Sequence, residues 1–170
     1  MTADKVLRRW KATRSAIRAL NESGSRTSRT HIQKLLYFAN VWNIGNVPPF
    51  EFVLYDHGPY SFELDRTLLL MESFNAFTRV ADPDGFGSRY SVEGEGKEEV
   101  SSAPLIRLAK WLGPLGVRDL EARATCEFLR NEGSKDVRTH IKRIKPHLSE
   151  DEIAEALSGI EKMRKELKVR

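Results

Sequence analysis

The segment HIQKLLYFANVW, residues 31–42, constrains the fold more than any other part of the chain. Ile32, Leu35, Leu36, Phe38, Ala39, Val41 and Trp42 fall on nearly every side of a helix, so almost no face is left for water. Such a helix must be central, with other elements packed around it. Thr30 followed by Gln33 reads as a capping box that starts it, and NIGNVPPF ends it.

The remaining periodicity supplies the surroundings. Val6, Trp10, Thr13, Ile17 and Leu20 make one stripe of a basic first helix, closed by NESGSRTSRT. EFVLYD is a short strand candidate, placed at an edge because two prolines precede it. SFELDRTLLLMESF reads as a helix with Ser61 as N-cap and Glu63 and Asp65 near its positive end. AFTRV and SRYSV form a hairpin around ADPDGFG. Four helical stripes follow: Leu105, Leu108, Ala109 and Leu112; Leu120, Ala124 and Phe128; Val137, Ile141 and Ile144 after the N-cap candidate Ser134; and Ile153 to Leu167 after the capping box Ser149 and Glu152.

These elements predict a mainly α (α+β) chain of one domain: a basic helix and loop over 1–27, a core over 28–100 in the order of a winged helix, and a helical part over 101–170. At 170 residues and 40% hydrophobic content, a core can form without disulfides or metal. The single cysteine, Cys126, lies in a helical stripe and reads as a small packed hydrophobe, in keeping with a reducing compartment. The first residues lack the apolar run of a secretory signal, and no segment suits a membrane span. A cytoplasmic protein that does not enter membranes is the expectation.

Charge is unevenly placed. Residues 1–40 hold nine Lys or Arg against two Asp or Glu, residues 41–100 hold four against eleven, and residues 101–170 hold fifteen against eleven. A winged helix reads DNA with the helix before its hairpin. Here that helix offers Arg66 against Glu63, Asp65 and Glu72, and phosphate contacts need cations. Two other stretches are better placed for nucleic acid: Arg8, Arg9 and Arg14 on the first helix, and Lys135, Arg138, Lys142, Arg143 and Lys145 nearer the C-terminus. The acidic middle suits a protein partner, with Glu63 and Asp65 as charges and Tyr60 and Phe86 as aromatic anchors.

Catalytic patterns are sparse. His31, His57, His140 and His147 show no metal-ligand spacing, and neither a P-loop nor a nucleophile elbow occurs, so no metal, cofactor or catalytic set is expected. Asp56 and His57 read as turn residues, with Gly58 and Pro59 shaping the corner; a hydrolase centred on His57 would need a cleft around it.

Taken together, HIQKLLYFANVW and LYDHGPYSFELD resemble the YwgA-like family of small bacterial and archaeal proteins. They are similar, more distantly, to the Panacea (SocA-like, phage-associated) antitoxin domains and to the C-terminal domain of DarG-type antitoxins. The positions that carry the resemblance are Ile32, Gln33, Lys34, Leu35, Tyr37, Tyr55, Gly58, Pro59, Tyr60, Ser61 and Leu64. RATCEFLR and IKRIKPHLSEDEIAEALSGIEKM extend it over most of residues 28–168. The resemblance implies a non-enzymatic, antitoxin-like interaction module that covers a partner's nucleic-acid or active surface. It carries over no catalytic residue, since the glycohydrolase activity of DarG belongs to a separate macrodomain.

Overall fold

In the computed structural model the described residues are 3–82, 87–93 and 103–169. They form α1 (Ala3–Glu22), α2 (Arg29–Val41), β1 (Val53–Tyr55), β2 (Gly58–Tyr60), α3 (Phe62–Ser73), β3 (Thr78–Ala81), β4 (Ser88–Ser91), α4 (Ala103–Leu112), α5 (Val117–Asn131), α6 (Val137–Ile144) and α7 (Glu150–Leu167). The chain is mainly α with a little β, as its periodicity predicts. Among these residues no helix is long and apolar enough to cross a membrane. Cys126 is packed in the core with no exposed surface.

Helix α2 is central. Every residue from His31 to Ala39 is buried, and α1, α4, α5 and β2 pack around it. Its N-cap is Ser28, whose hydroxyl accepts from the His31 amide, rather than the expected Thr30. Gln33 is not its capping partner either, because that side chain is spent elsewhere. The His31 ring spans from the Ser28 hydroxyl (2.7 Å) to the Leu115 carbonyl (3.0 Å), and burial pushes its pKa down.

A second helix is just as enclosed. Helix α5 is buried continuously from Leu120 to Glu127, between α2 and β2 on one side and α6 and α7 on the other. Its stripe of Leu120 and Ala124 is found, but Glu121, Arg123, Thr125 and Glu127 are buried too. Glu127 accepts from Trp42 Nε1 of α2 (2.7 Å) and Arg164 Nη1 of α7 (2.8 Å), so one carboxylate joins three helices. Arg123 lies over Gly159 of α7, where a Cβ would overlap its guanidinium.

The other boundaries follow their local chemistry. Ser61 caps α3 by accepting from the Leu64 amide, and Ser149 with Glu152 forms the expected capping box of α7. Helix α6 is capped by Asp136, not Ser134; the carboxylate accepts from the Thr139 amide at 3.0 Å. In α1 the buried face is Arg9, Ala12, Thr13, Ala16, Ile17 and Leu20. Val6 and Trp10, expected in the stripe, sit at its edge beside α3.

The β content is two separate antiparallel ribbons, β1–β2 and β3–β4. In a winged helix the first strand joins the later hairpin; here β1 turns back at once and pairs with its own continuation, Tyr55 opposite Gly58. The central turn residues are therefore Asp56 and His57, and Gly58 and Pro59 belong to β2. The second ribbon is fastened to α1 through Asn21, which donates to the Tyr90 carbonyl and accepts from the Val92 amide.

Gly58 has φ +81°, and a Cβ there would stand 2.9 Å from Thr125 Oγ1 and 3.3 Å from the Glu121 carbonyl. Backbone sign and space both demand glycine. Gly24 has φ +68° with open space around it. Gly58→Ala is expected to lower the unfolding free energy by roughly 2–4 kcal/mol, against about 1 kcal/mol for Gly24→Ala, in urea melts.

Candidate functional site

Two places on this fold combine chemistry with access. The first is the β1–β2 corner. Gln33 of α2 treats Ser61 as a strand neighbour: Gln33 Nε2 donates to the Ser61 carbonyl (3.0 Å) and the Ser61 amide donates to Gln33 Oε1 (2.9 Å). One residue on, Lys34 Nζ donates to the Pro59 carbonyl at 2.8 Å. The two halves of the quoted pattern are thus one clamp, in which α2 grips the β2 backbone. Tyr37, the next position on this helix, stacks edge-on against Phe52 and Phe38, and its phenol is pushed up by burial.

On its far side the corner is held by α5 and the α6–α7 loop. Lys145 Nζ donates to the carbonyls of Tyr55 (3.0 Å) and Asp56, and lies 3.1 Å from Glu121 Oε1. The same carboxylate meets His57 Nδ1 at 3.3 Å and His147 Nε2 at 3.2 Å. Lys145 is buried, so the basic stretch around it does not offer that cation to nucleic acid.

A cleft of about 250 Å³ opens between α2 and the corner, lined by Arg29, Thr30, Lys34, Tyr55, His57 and Tyr60 among others. Lys34 is 1% exposed. Burial pushes its amine down to about 7, with Glu121 acting upward and Lys145 downward. His57 stands on the rim, its side chain 67% exposed. The cleft that a hydrolase centred on His57 would need lies beside that side chain, together with a carboxylate, but Glu121 is shared with Lys145 and His147. Burial pushes the Cys126 thiol up to about 12, so it is no thiolate near neutral pH.

The second place is the outer face of α3. Glu63 and Asp65, expected to face a partner, are engaged within the chain. Glu63 forms a two-pronged pair with Arg9, at 2.9 Å from Nη1 and 2.6 Å from Nη2. Asp65 pairs with Arg29 at 3.1 Å. Tyr60 is half-buried beside Tyr55 and Phe62, with ring centroids 5.7 and 5.2 Å away, and burial together with Asp65 pushes its hydroxyl up to about 12. Phe86 lies outside the described residues. The large side chains that α3 and its C-cap expose are mostly apolar: Phe62, Leu69, Leu70 and the C-cap Phe74, the last 70% exposed, beside Arg66 and Ser73. Helical spacing puts all four on one outward arc with Arg66 among them. Val6 and Trp10 of α1 continue it, and Trp10 packs edge-on against Phe74 at 6.0 Å. A small pocket of about 80 Å³ lies in the seam, lined by Val6, Trp10 and Leu70 together with Arg9, Glu63, Arg66 and Thr67.

The basic residues separate. Arg9 is 4% exposed; besides Glu63 it binds the Pro49 carbonyl and covers the Phe50 ring, so it is a core cation rather than a phosphate contact. Arg8 pairs with Asp4, and Arg14 donates to the Glu93 carbonyl. Lys142 donates to the Leu148 carbonyl and Arg138 lies 3.7 Å from Glu150, whereas Lys135 and Arg143 are exposed. Neither the apolar arc nor Glu121 was singled out by sequence reasoning. The LLL run at 68–70 was the available signal for the arc, since one helix face cannot bury three consecutive residues.

Lys34 sets a pH dependence. Below about pH 7 both folded and unfolded chains hold this proton, and the burial penalty is present in full. Above it the folded chain releases the proton while the unfolded chain keeps it to about 10.5, so stability rises with pH across that window. Between about pH 6 and pH 9 the wild type should gain roughly 2–3 kcal/mol relative to Lys34→Met, measured by urea unfolding at each pH.

A scan against protein-family models returns no match for this chain, and a search of curated proteins returns none either.

Proposed function

We propose that the protein is a non-enzymatic interaction module of antitoxin-like kind, which docks a partner protein on the outer face of α3 and covers that partner's functional surface. The observation that carries this reading is the exposed arc of Phe62, Leu69, Leu70 and Phe74. Four large apolar side chains on one helix and its C-cap, continued by Trp10, are more than the scattered exposure of an ordinary surface. Arg66 is exposed within the arc and pairs with no acidic group among the described residues. A partner with an apolar surface and one carboxylate opposite Arg66 fits this pattern. The resemblance to the YwgA-like and Panacea families supports the antitoxin-like role.

The arc occupies the position from which a winged helix would read DNA, and its composition favours protein over phosphate. Leu69→Glu and Phe74→Glu should each weaken partner binding by about a hundredfold while leaving the melting temperature nearly unchanged. The readout is co-purification of the tagged chain from its native host, then titration of the recovered partner. A chain recovered only as a monomer, or variants that keep the partner at wild-type affinity, would overturn the proposal.

The alternative, nucleic-acid binding by basic helices, draws on a shallow groove lined by Arg138, Lys142 and Arg143 on α6. Two of those cations already have partners within the chain. We expect no retention of a short DNA duplex at about 0.15 M salt, and no change with Arg8→Glu, Lys135→Glu or Arg143→Glu. Retention that falls steeply with salt and is lost in these variants would favour the alternative.

A further inference from the structure

We infer that the cleft between α2 and the β1–β2 corner is a binding site for a small phosphate-type oxyanion, held by the Lys34 ammonium, the Thr30 hydroxyl and the His57 imidazole. It is separate from the α3 face, and its failure would leave that reading untouched.

Three observations converge. Lys34 and Thr30 are one helical turn apart, so they share a face of α2, and helix side chains lean toward the N-terminus. Thr30 stands in the first turn of α2, whose positive end favours an anion, and Lys34 lies one turn further on. Next, Lys34 is an almost fully buried amine with one hydrogen-bond partner among the described residues, the neutral Pro59 carbonyl. An ammonium has three N–H donors. A buried cation without a contacting anion is costly, and the cleft is the open side from which one can arrive. Finally, His57 faces the same space from the turn, with Nδ1 toward Glu121, which leaves the other ring nitrogen for a ligand.

The surrounding charges are compatible. Arg29 is on the cleft wall but pairs with Asp65, and Glu121 is turned to Lys145, His57 and His147. Asp56 lies among the lining residues and is exposed. At about 250 Å³ the cleft suits an ion or a small ester rather than a nucleotide. The rings of Tyr55 and Tyr60 form one wall, against which an attached ring can rest.

The test titrates inorganic phosphate and phenyl phosphate into the full chain by calorimetry and thermal shift, with chloride at matched ionic strength as the control. Saturable binding is expected, weakened about tenfold or more by Lys34→Met and about threefold to tenfold by Thr30→Val or His57→Ala. Phe74→Glu should bind phosphate as the wild type does. Phenyl phosphate binding tighter than phosphate would sustain the site as one for an ester; equal binding would sustain it as one for the free ion. Should Lys34→Met fail to fold, the Thr30 and His57 variants decide. The inference is overturned by wild-type affinity in Lys34→Met, by wild-type affinity in both other variants, or by an equal thermal shift from chloride.

Discussion

Gln33 and Ser61 exchange two hydrogen bonds across 28 residues, and Lys34 holds the Pro59 carbonyl beside them. The rest of the structure depends on this grip. A three-residue ribbon such as β1–β2 is not stable alone. It persists because α2 supplies side-chain amide and amine groups where a third strand would supply backbone. The grip also fixes where α3 begins, since the Ser61 side chain caps that helix while its backbone is held by Gln33. With the α3 start set, Glu63 reaches Arg9 and Asp65 reaches Arg29, and α3 is locked against α1 and α2 by ion pairs as well as by Leu64, Leu68 and Met71.

That arrangement separates the two faces of α3. At the flanks are the half-buried carboxylates that the sequence places near the helix start, engaged by Arg9 and Arg29; outside are residues with no role in the core. An exposed Phe and two Leu on one helix contribute little to the isolated chain, since each would stabilise it by roughly 1.5–3 kcal/mol only if buried. Their burial would need an apolar surface from outside the described residues. The same logic assigns Arg9 to the fold: a guanidinium 4% exposed, held by two carboxylate oxygens and a carbonyl, would leave an unpaired buried charge on either side if removed.

How far the sequence foretold this follows from what periodicity can register. Helix α2 was legible because apolar residues on all sides have one explanation. Ser61, and Ser149 with Glu152, were legible because capping is local, a hydroxyl and an amide three residues apart. Helix α5 was half legible. Leu120 and Ala124 mark a stripe, but Glu121, Arg123 and Glu127 look like a solvated face until partners such as Lys145, Gly159 and Arg164, 24 to 37 residues away in sequence, are in place. The Thr30–Gln33 box failed for the same reason: the pattern is local, while the bond Gln33 makes is to Ser61. In the candidate sites, Asp56 and His57 were legible as turn residues, whereas Gly58 and Pro59, read as shaping the corner, already belong to β2, because the ribbon's register places Gly58 opposite Tyr55.

The corner and the α3 face are physically continuous. Tyr55, Tyr60 and Phe62 form a mutual cluster, with Tyr55 to Phe62 at 5.6 Å. Tyr60 belongs to the strand gripped by α2, and Phe62 is the first residue of the exposed arc. Whatever stiffens the corner therefore also fixes the end of the exposed arc. An ammonium such as Lys34 can be kept on the folded chain in two ways, by losing its proton or by meeting an anion. The first leaves only a neutral amine on Pro59; the second adds a charged link between α2 and the turn. The same strand carries both the grip and Tyr60, so Lys34 and the aromatic cluster meet on a single backbone segment.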